Sequence, residues 1–301
     1  MRIARSTTCA TIAVTLVLAG SSAIAATPER VIATSAYEYE PAASADAVAW
    51  VVWTGKKHVA RVRTTDGTFR VNAAGTEGYL GGIDGSTLVY QQFSFLNGTS
   101  DIYSFDLVTH ARTKIVAPVS TRRWEYDASI SGEWIMFARW FRTEDRKVLL
   151  YNTTTAELRT IATSSGARRS LRVGQVAGGY ATFDRITYGR GGGLTSCEVF
   201  RYEIAADSAV PIANPNGRCQ YGSSVTSDGT VFYGRSGFVC GRNATLRKLP
   251  LGGSAETLID FADGRDFTSS YALDNLDGTA DVYYDPARCG GDSNVAKIVG
   301  V

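Results

Sequence analysis

Histidine is nearly absent from this 301-residue chain, which carries only His58 and His110. Both stand in segments that read as solvated loops, His58 beside Lys56 and Lys57 and His110 in the turn Val108-Thr109-His110-Ala111. A Ser-His-Asp hydrolase needs an imidazole base within hydrogen-bond reach of its nucleophile. Neither position suggests one, and there is no second domain to carry a Gly-x-Ser-x-Gly elbow. Cysteine is sparse, five in all with no CxxC pair, so the ligand spacing of a structural zinc site is missing. Charge of one sign is not in excess either. The 31 Lys and Arg face 29 Asp and Glu, and removing Arg2 and Arg5 with a leader leaves the rest formally neutral, which argues against a nucleic-acid binder. Beyond the leader no run approaches about 18 consecutive apolar residues, so no membrane insertion is expected.

The first 26 residues have the form of a secretory signal: Arg2 and Arg5, a short apolar run over 10–20, and the cleavage-site pattern Ala23-Ile24-Ala25. Ser21, not cysteine, follows Leu18-Ala19-Gly20, so a lipid anchor is not indicated. Residues 27–301 are then one exported domain, secreted or periplasmic. Its four cysteines read as disulfides, since an even count in an exported chain favours them. The pairing expected is Cys197–Cys219, pinning the glycine-rich loop 189–194, and Cys240–Cys289, clamping the last two repeats.

What the sequence has in abundance is a repeat. A turn position, often glycine, precedes by five residues an aromatic that ends a β-rich run, as in Gly85 and Tyr90, Gly132 and Phe137, Gly178 and Phe183, and Gly278 and Tyr283. Ala45 with Trp50 and the shorter Gly229 with Tyr233 complete the series. The turn positions 45, 85, 132, 178, 229 and 278 lie 40, 47, 46, 51 and 49 residues apart, the period of four-stranded propeller blades. The fold class is therefore all-β, a six-bladed β-propeller. Its last repeat lacks a fourth strand, and Arg30-Val31-Ile32-Ala33-Thr34-Ser35 closely matches the fourth-strand segment Arg159-Thr160-Ile161-Ala162-Thr163-Ser164. The N-terminal segment is expected to close the ring as a 3+1 blade, leaving no unpaired edge there.

The turn and strand of Tyr126-Asp127-Ala128-Ser129-Ile130-Ser131-Gly132-Glu133-Trp134-Ile135-Met136-Phe137, and of Val225-Thr226-Ser227-Asp228-Gly229-Thr230-Val231-Phe232-Tyr233, resemble the repeat of the TolB-like propeller family. No repeat keeps the family's turn proline, and only Asp84-Gly85, Asp228-Gly229 and Asp277-Gly278 keep its Asp-Gly. The resemblance covers 28–301. It implies a shape and an exported compartment shared by binding proteins and by the propeller halves of some peptidases.

Three sets of residues are candidates for a site. Asn275-Leu276-Asp277-Gly278-Thr279-Ala280-Asp281 is similar to a calcium loop, but Leu273 occupies the first ligand position, so no cofactor is expected and calcium stays an alternative. Glu38, Glu40, Glu77, Glu125, Asp127 and Asp266 lie near the starts of inner strands, where paired carboxylates could serve a glycosidase or lyase acting on extracellular polysaccharide. The third set is basic. Arg122, Arg123, Arg168, Arg169, Arg218 and Arg265 fall in inter-blade connections, and Lys56, Lys57, Arg142, Arg146, Lys147, Arg190, Arg235, Arg242 and Arg288 in loops opening on the same face. Trp124, Tyr126, Trp140, Phe141 and Tyr188 lie nearby. The preferred reading is a monomeric, non-catalytic binding or scaffold propeller whose loop face takes a protein or an anionic glycan. Its ligand-binding residues would be Arg122, Arg123, Trp124, Tyr126, Arg168, Arg169, Arg218 and Arg265.

Overall fold

The computed structural model describes residues 28–32, 34, 36–141, 144–237, 243–261, 264–288 and 293–301. The leader and the Cys240–Cys289 pairing therefore lie outside the described residues, as do Arg142 and Arg242.

Six four-stranded antiparallel sheets stand around one axis. Their inner strands are Tyr37–Ala43, Glu77–Asp84, Trp124–Ser131, Arg169–Ala177, Cys219–Val225 and Arg265–Asp274, and these define blades 1 to 6. Second strands are Val48–Trp53, Thr87–Ser94, Trp134–Trp140, Tyr180–Tyr188, Val231–Ser236 and Ala280–Arg288. The second strands are walled in by neighbouring blades over their central residues, so segments such as Ala49-Trp50-Val51-Val52 and Ile135-Met136-Phe137-Ala138 read as continuous apolar runs where a one-sided strand would alternate. The outer strands Arg112–Lys114 and Ser208–Pro211 are exposed throughout.

The repeat has a direct physical basis. Gly85, Gly132, Gly178, Gly229 and Gly278 all turn the chain with φ between 53 and 83°, a region costly for residues with a Cβ. The aromatics they precede, Trp50, Tyr90, Phe137, Phe183, Tyr233 and Tyr283, are all at most 5% exposed. Each sits in a second strand, within the apolar clusters that fill the gaps between blades. Truncating one such ring to alanine costs about 3–5 kcal/mol.

Closure is as the sequence implied. Glu29–Ile32 is the outer strand of blade 6, antiparallel to Val295–Ile298, with Glu29 opposite Lys297 and Arg30 opposite Ala296. Ile32 is 3% exposed, and the Arg63 guanidinium donates to the Val31 carbonyl at 3.1 Å, so blade 1 also holds the closing strand.

The Cys197–Cys219 disulfide is present, with Cα atoms 4.5 Å apart. It differs from expectation in placement. Cys197 lies within the third strand of blade 4, Leu194–Glu203, rather than in the preceding loop, and Cys219 opens the inner strand of blade 5. The bond therefore staples two neighbouring blades and only flanks the glycine-rich loop.

Candidate functional site

Every inner strand loses register once. The unpaired residues are Glu40-Pro41, Gly81, Asp127, Gly174-Gln175, Gly222-Ser223 and Thr268-Ser269. Such bulges re-aim side chains, and here all of these residues except Gly174 and Gln175 line the axial cavity. Space is short at this level: a Cβ on Gly222 would stand 2.6 Å from the Thr268 carbonyl oxygen of the next blade, and one on Gly81 2.6 Å from that of Ala128. Glu40 and Asp127 nonetheless take left-handed φ values of 50 and 41°. Residues held there with a side chain store on the order of 1–3 kcal/mol of strain and concentrate at functional sites.

Below the bulges the axis is closed by side chains that span non-adjacent blades. Gln175 of blade 4 exchanges two hydrogen bonds with the Ala272 backbone of blade 6, at 2.7 and 2.9 Å. Tyr271 of blade 6 donates to the Ile83 carbonyl of blade 2 at 2.9 Å. Above this floor lies a cavity of about 570 Å³. Tyr37, Tyr188, Leu194, Tyr221 and Asp266 stand toward its mouth, beside the disulfide, on the face where the inter-blade connections emerge. A pocket of this size with a few convergent polar groups is what small ligands occupy.

The charged groups at the bulge level are Glu40, Asp127, Asp184 and Arg172, with Asp285 behind Glu40. Burial, with Asp127 and Asp285 adding repulsion, pushes the Glu40 carboxyl up to about 8. Burial likewise raises Asp127 and Asp285, and lifts Asp184 to about 6. Burial presses the Arg172 guanidinium down, but Asp127, Glu40 and Asp184 more than offset this and its net shift is upward. Asp184 and Asp285 are occupied in holding the bulges. Asp184 accepts from Gly222 N at 2.7 Å and Ser223 Oγ at 2.6 Å; Asp285 accepts from Thr268 N at 2.8 Å and Ser269 N at 2.9 Å. The buried Glu40 Oε2 has no hydrogen-bond partner. A carboxyl held protonated near neutral pH beside other carboxylates supplies the donor and acceptor that a glycosidase needs.

Only three of the six carboxylates expected in the channel reach it: Glu40, Asp127 and Asp266. The other three are corrected. Glu38 accepts from Thr34 Oγ1 at 2.9 Å, Glu77 from the His58 amide at 3.3 Å and Tyr79 Oη at 3.0 Å, and Glu125 from Thr121 Oγ1 at 2.7 Å and Arg139 Nε at 2.8 Å. All three are buried ties between blade elements. Arg172, Asp184 and Asp285, absent from the sequence expectation, take part instead.

The basic and aromatic set separates into parts. Arg122, Arg123 and Trp124 line one hollow of about 820 Å³ with Asn97, Trp140 and Phe141. Its aromatics are continuous: Phe95 meets Phe93 at 4.8 Å, Phe93 meets Trp124 at 5.6 Å, and Trp124 meets Trp140 at 5.5 Å edge to face. The Arg123 guanidinium lies 4.3 Å from the Phe141 ring centre, and that of Arg146 5.1 Å from Trp140. Phe95 is 62% and Leu96 96% exposed. Arg168 is exposed and Arg218 half-buried at other connections around the ring, while Arg169 and Arg265, expected in connections, are exposed residues that open the inner strands of blades 4 and 6; all four lie away from this hollow. Tyr126 does not join it either, because its hydroxyl donates to the Leu171 carbonyl of blade 4 at 3.2 Å. Arg146, Lys147 and Arg235 prove to be strand residues.

The turn over 275–281 is closed on itself. Asn275 Nδ2 donates to Thr279 Oγ1 and Asp281 Oδ1, both at 3.0 Å, and the Lys297 ammonium stands 3.4 Å from Asp281. Nitrogen donors thus face the oxygens a calcium ion would use. Among the described residues no three His, Cys, Asp or Glu side chains converge as a metal ion would require, and no helix is long and apolar enough to cross a membrane.

Neither a protein-family model nor a curated sequence matches the chain. Solved structures do. A TolB protein of Agrobacterium tumefaciens aligns with a TM-score of 0.55 at 12% identity, over 88% of this chain and 91% of that one. TolB of Acinetobacter baumannii aligns at 0.53 and 16% identity, over 87% of this chain and 63% of that one. The propeller domain of the Trilobed protease of Pyrococcus furiosus, described as having an open velcro topology, aligns at 0.53 and 12% identity over 90% and 95%. At such identities the likeness is one of fold. In this chain the ring is closed by the Glu29–Ile32 strand.

Proposed function

We propose that this chain is an exported, monomeric binding propeller that docks an acidic protein partner on the loop face of blades 2 and 3. The carrying observation is the continuous exposed run from Leu96 and Phe95 through Trp124 and Trp140, bordered by Arg122, Arg123 and Arg146. Aromatic residues and arginine are enriched at protein interfaces and supply their energetic anchors, and a soluble monomer rarely leaves such a patch without purpose. The arginines add attraction for acidic groups. Export is supported by the buried Cys197–Cys219 bond, since disulfides persist in oxidising compartments.

The test is capture of partners from the matching secreted fraction by the native protein, by Trp124→Ala and by Arg123→Glu, with Arg61→Glu on the outer part of blade 1 as control. Capture should be lost with the first two changes, kept with the third, and weaken as salt rises. Equal capture by all four proteins refutes the reading. Binding of polygalacturonate with the same dependence on Trp124 and Arg123 would make the partner an anionic glycan.

A further inference from the structure

Arg172 stands at the axis with no bond among the described residues to fix its side chain. Its guanidinium lines the cavity, and among the described residues it forms no hydrogen bond and no close ion pair, although Asp127, Glu40 and Asp184 act on it electrostatically. A guanidinium presents five donors in a planar fork matched to a carboxylate. Its side chain is exposed where it lines the cavity and stands off from its acidic neighbours without a close ion pair, leaving its fork open to a ligand. Opposite it, Glu40 Oε2 lacks a partner, and Glu40 and Asp127 are presented by strained backbone at positions where three other blades place glycine.

The cavity therefore offers two unfilled valences of opposite kind. A simple anion would gain Arg172 but face several carboxyls, and a simple cation would gain the acids but face Arg172. A molecule carrying both charges satisfies both. The floor built by Gln175 and Tyr271 blocks passage of a threaded chain, and the mouth offers tyrosine rings to an apolar substituent. We propose that the blind axial cavity binds a compact zwitterion of the α-amino acid type, with its carboxylate on the Arg172 fork and its ammonium on Glu40 and Asp127. This site is separate from the loop-face hollow and stands whether or not a protein docks there.

The experiment is titration calorimetry of the intact exported protein with the free L-amino acids. Each amino acid that binds is compared with its decarboxylated amine and its deaminated acid, and glucuronate is included. Either analogue should bind about tenfold or more weakly, since each loses one charge-assisted contact. Arg172→Gln should abolish the preference for the amino acid over the amine; Glu40, which holds a proton in the free protein, must release it to solvent as the ammonium binds, so Glu40→Gln should abolish both that proton release and the preference over the acid. The analogue series on the unaltered protein decides the matter even if a variant folds poorly. Failure of every amino acid to bind, equal binding of an amine or acid analogue, or tighter binding of glucuronate would overturn the proposal; the last would make this an acidic-sugar site.

Discussion

Replacing Glu40 with glutamine should stabilise the protein at neutral pH and leave it nearly unchanged in mild acid. The Glu40 carboxyl is pushed from its ordinary 4.5 up to about 8 by burial and by Asp127 and Asp285. Between those values the folded protein holds a proton that the unfolded chain has released. The native state then binds more protons, so stability falls as pH rises through this window, by up to about 1.4 kcal/mol per pH unit. From pH 5 to pH 7 the loss attributable to Glu40 reaches roughly 2–3 kcal/mol on that slope. Glutamine keeps the shape and cannot ionise. Urea unfolding of both proteins at pH 5, 6, 7 and 8 should give curves that nearly coincide at pH 5 and separate progressively, with Glu40→Gln the more stable. Asp184, raised to about 6, adds a pH dependence of the same sign to both proteins, so the difference between them isolates Glu40. A gap that does not change with pH, or a variant less stable than the native protein at pH 7, would refute the electrostatic account of the axis.

Arg139→Met should cost about 3–5 kcal/mol in equilibrium unfolding, because it strands the fully buried Glu125 carboxylate without its partner; adding Glu125→Gln should recover part of that loss, and a double variant worse than the single one would contradict the pairing. Changing both Cys197 and Cys219 to serine should cost about 3 kcal/mol for a crosslink spanning 22 residues, with an unchanged urea midpoint as the contrary result. Deleting 27–35 should lower the melting temperature and promote association through the bared Val295–Ile298 edge, and an unaltered melting temperature would show that closure contributes nothing.

The architecture was legible because its two determinants are local. A turn that needs positive φ selects glycine, and a second strand walled in by neighbouring blades selects an aromatic, so Gly132 with Phe137 and Gly178 with Phe183 announce a blade wherever they recur. The closing strand was legible for the same reason, as a fourth-strand segment displaced to the other end of the chain. The site was only half legible. Strict alternation places Glu38 with Glu40, and Glu125 with Asp127, on a common face of their strands, which is why all four were expected at the channel. The bulges break that alternation, sending Glu40 and Asp127 to the axis while Glu38 and Glu125 stay among buried partners.

The missing information lay in comparing the repeats with each other. Set side by side after their bulge-preceding residues, the inner strands read Tyr39-Glu40, Leu80-Gly81, Tyr126-Asp127, Val173-Gly174, Tyr221-Gly222 and Phe267-Thr268. Three glycines in one register mark a position where neighbouring blades crowd the backbone. Asp184 and Asp285 carry a second signal, as acids buried inside the second strands of blades 4 and 6. Fold stability alone would fill such a ring with glycine and such strands with apolar side chains. A chain that instead sets Glu40 and Asp127 in left-handed backbone around an unpaired Arg172 is spending stability at the axis, and the pH dependence of the Glu40→Gln difference measures how much.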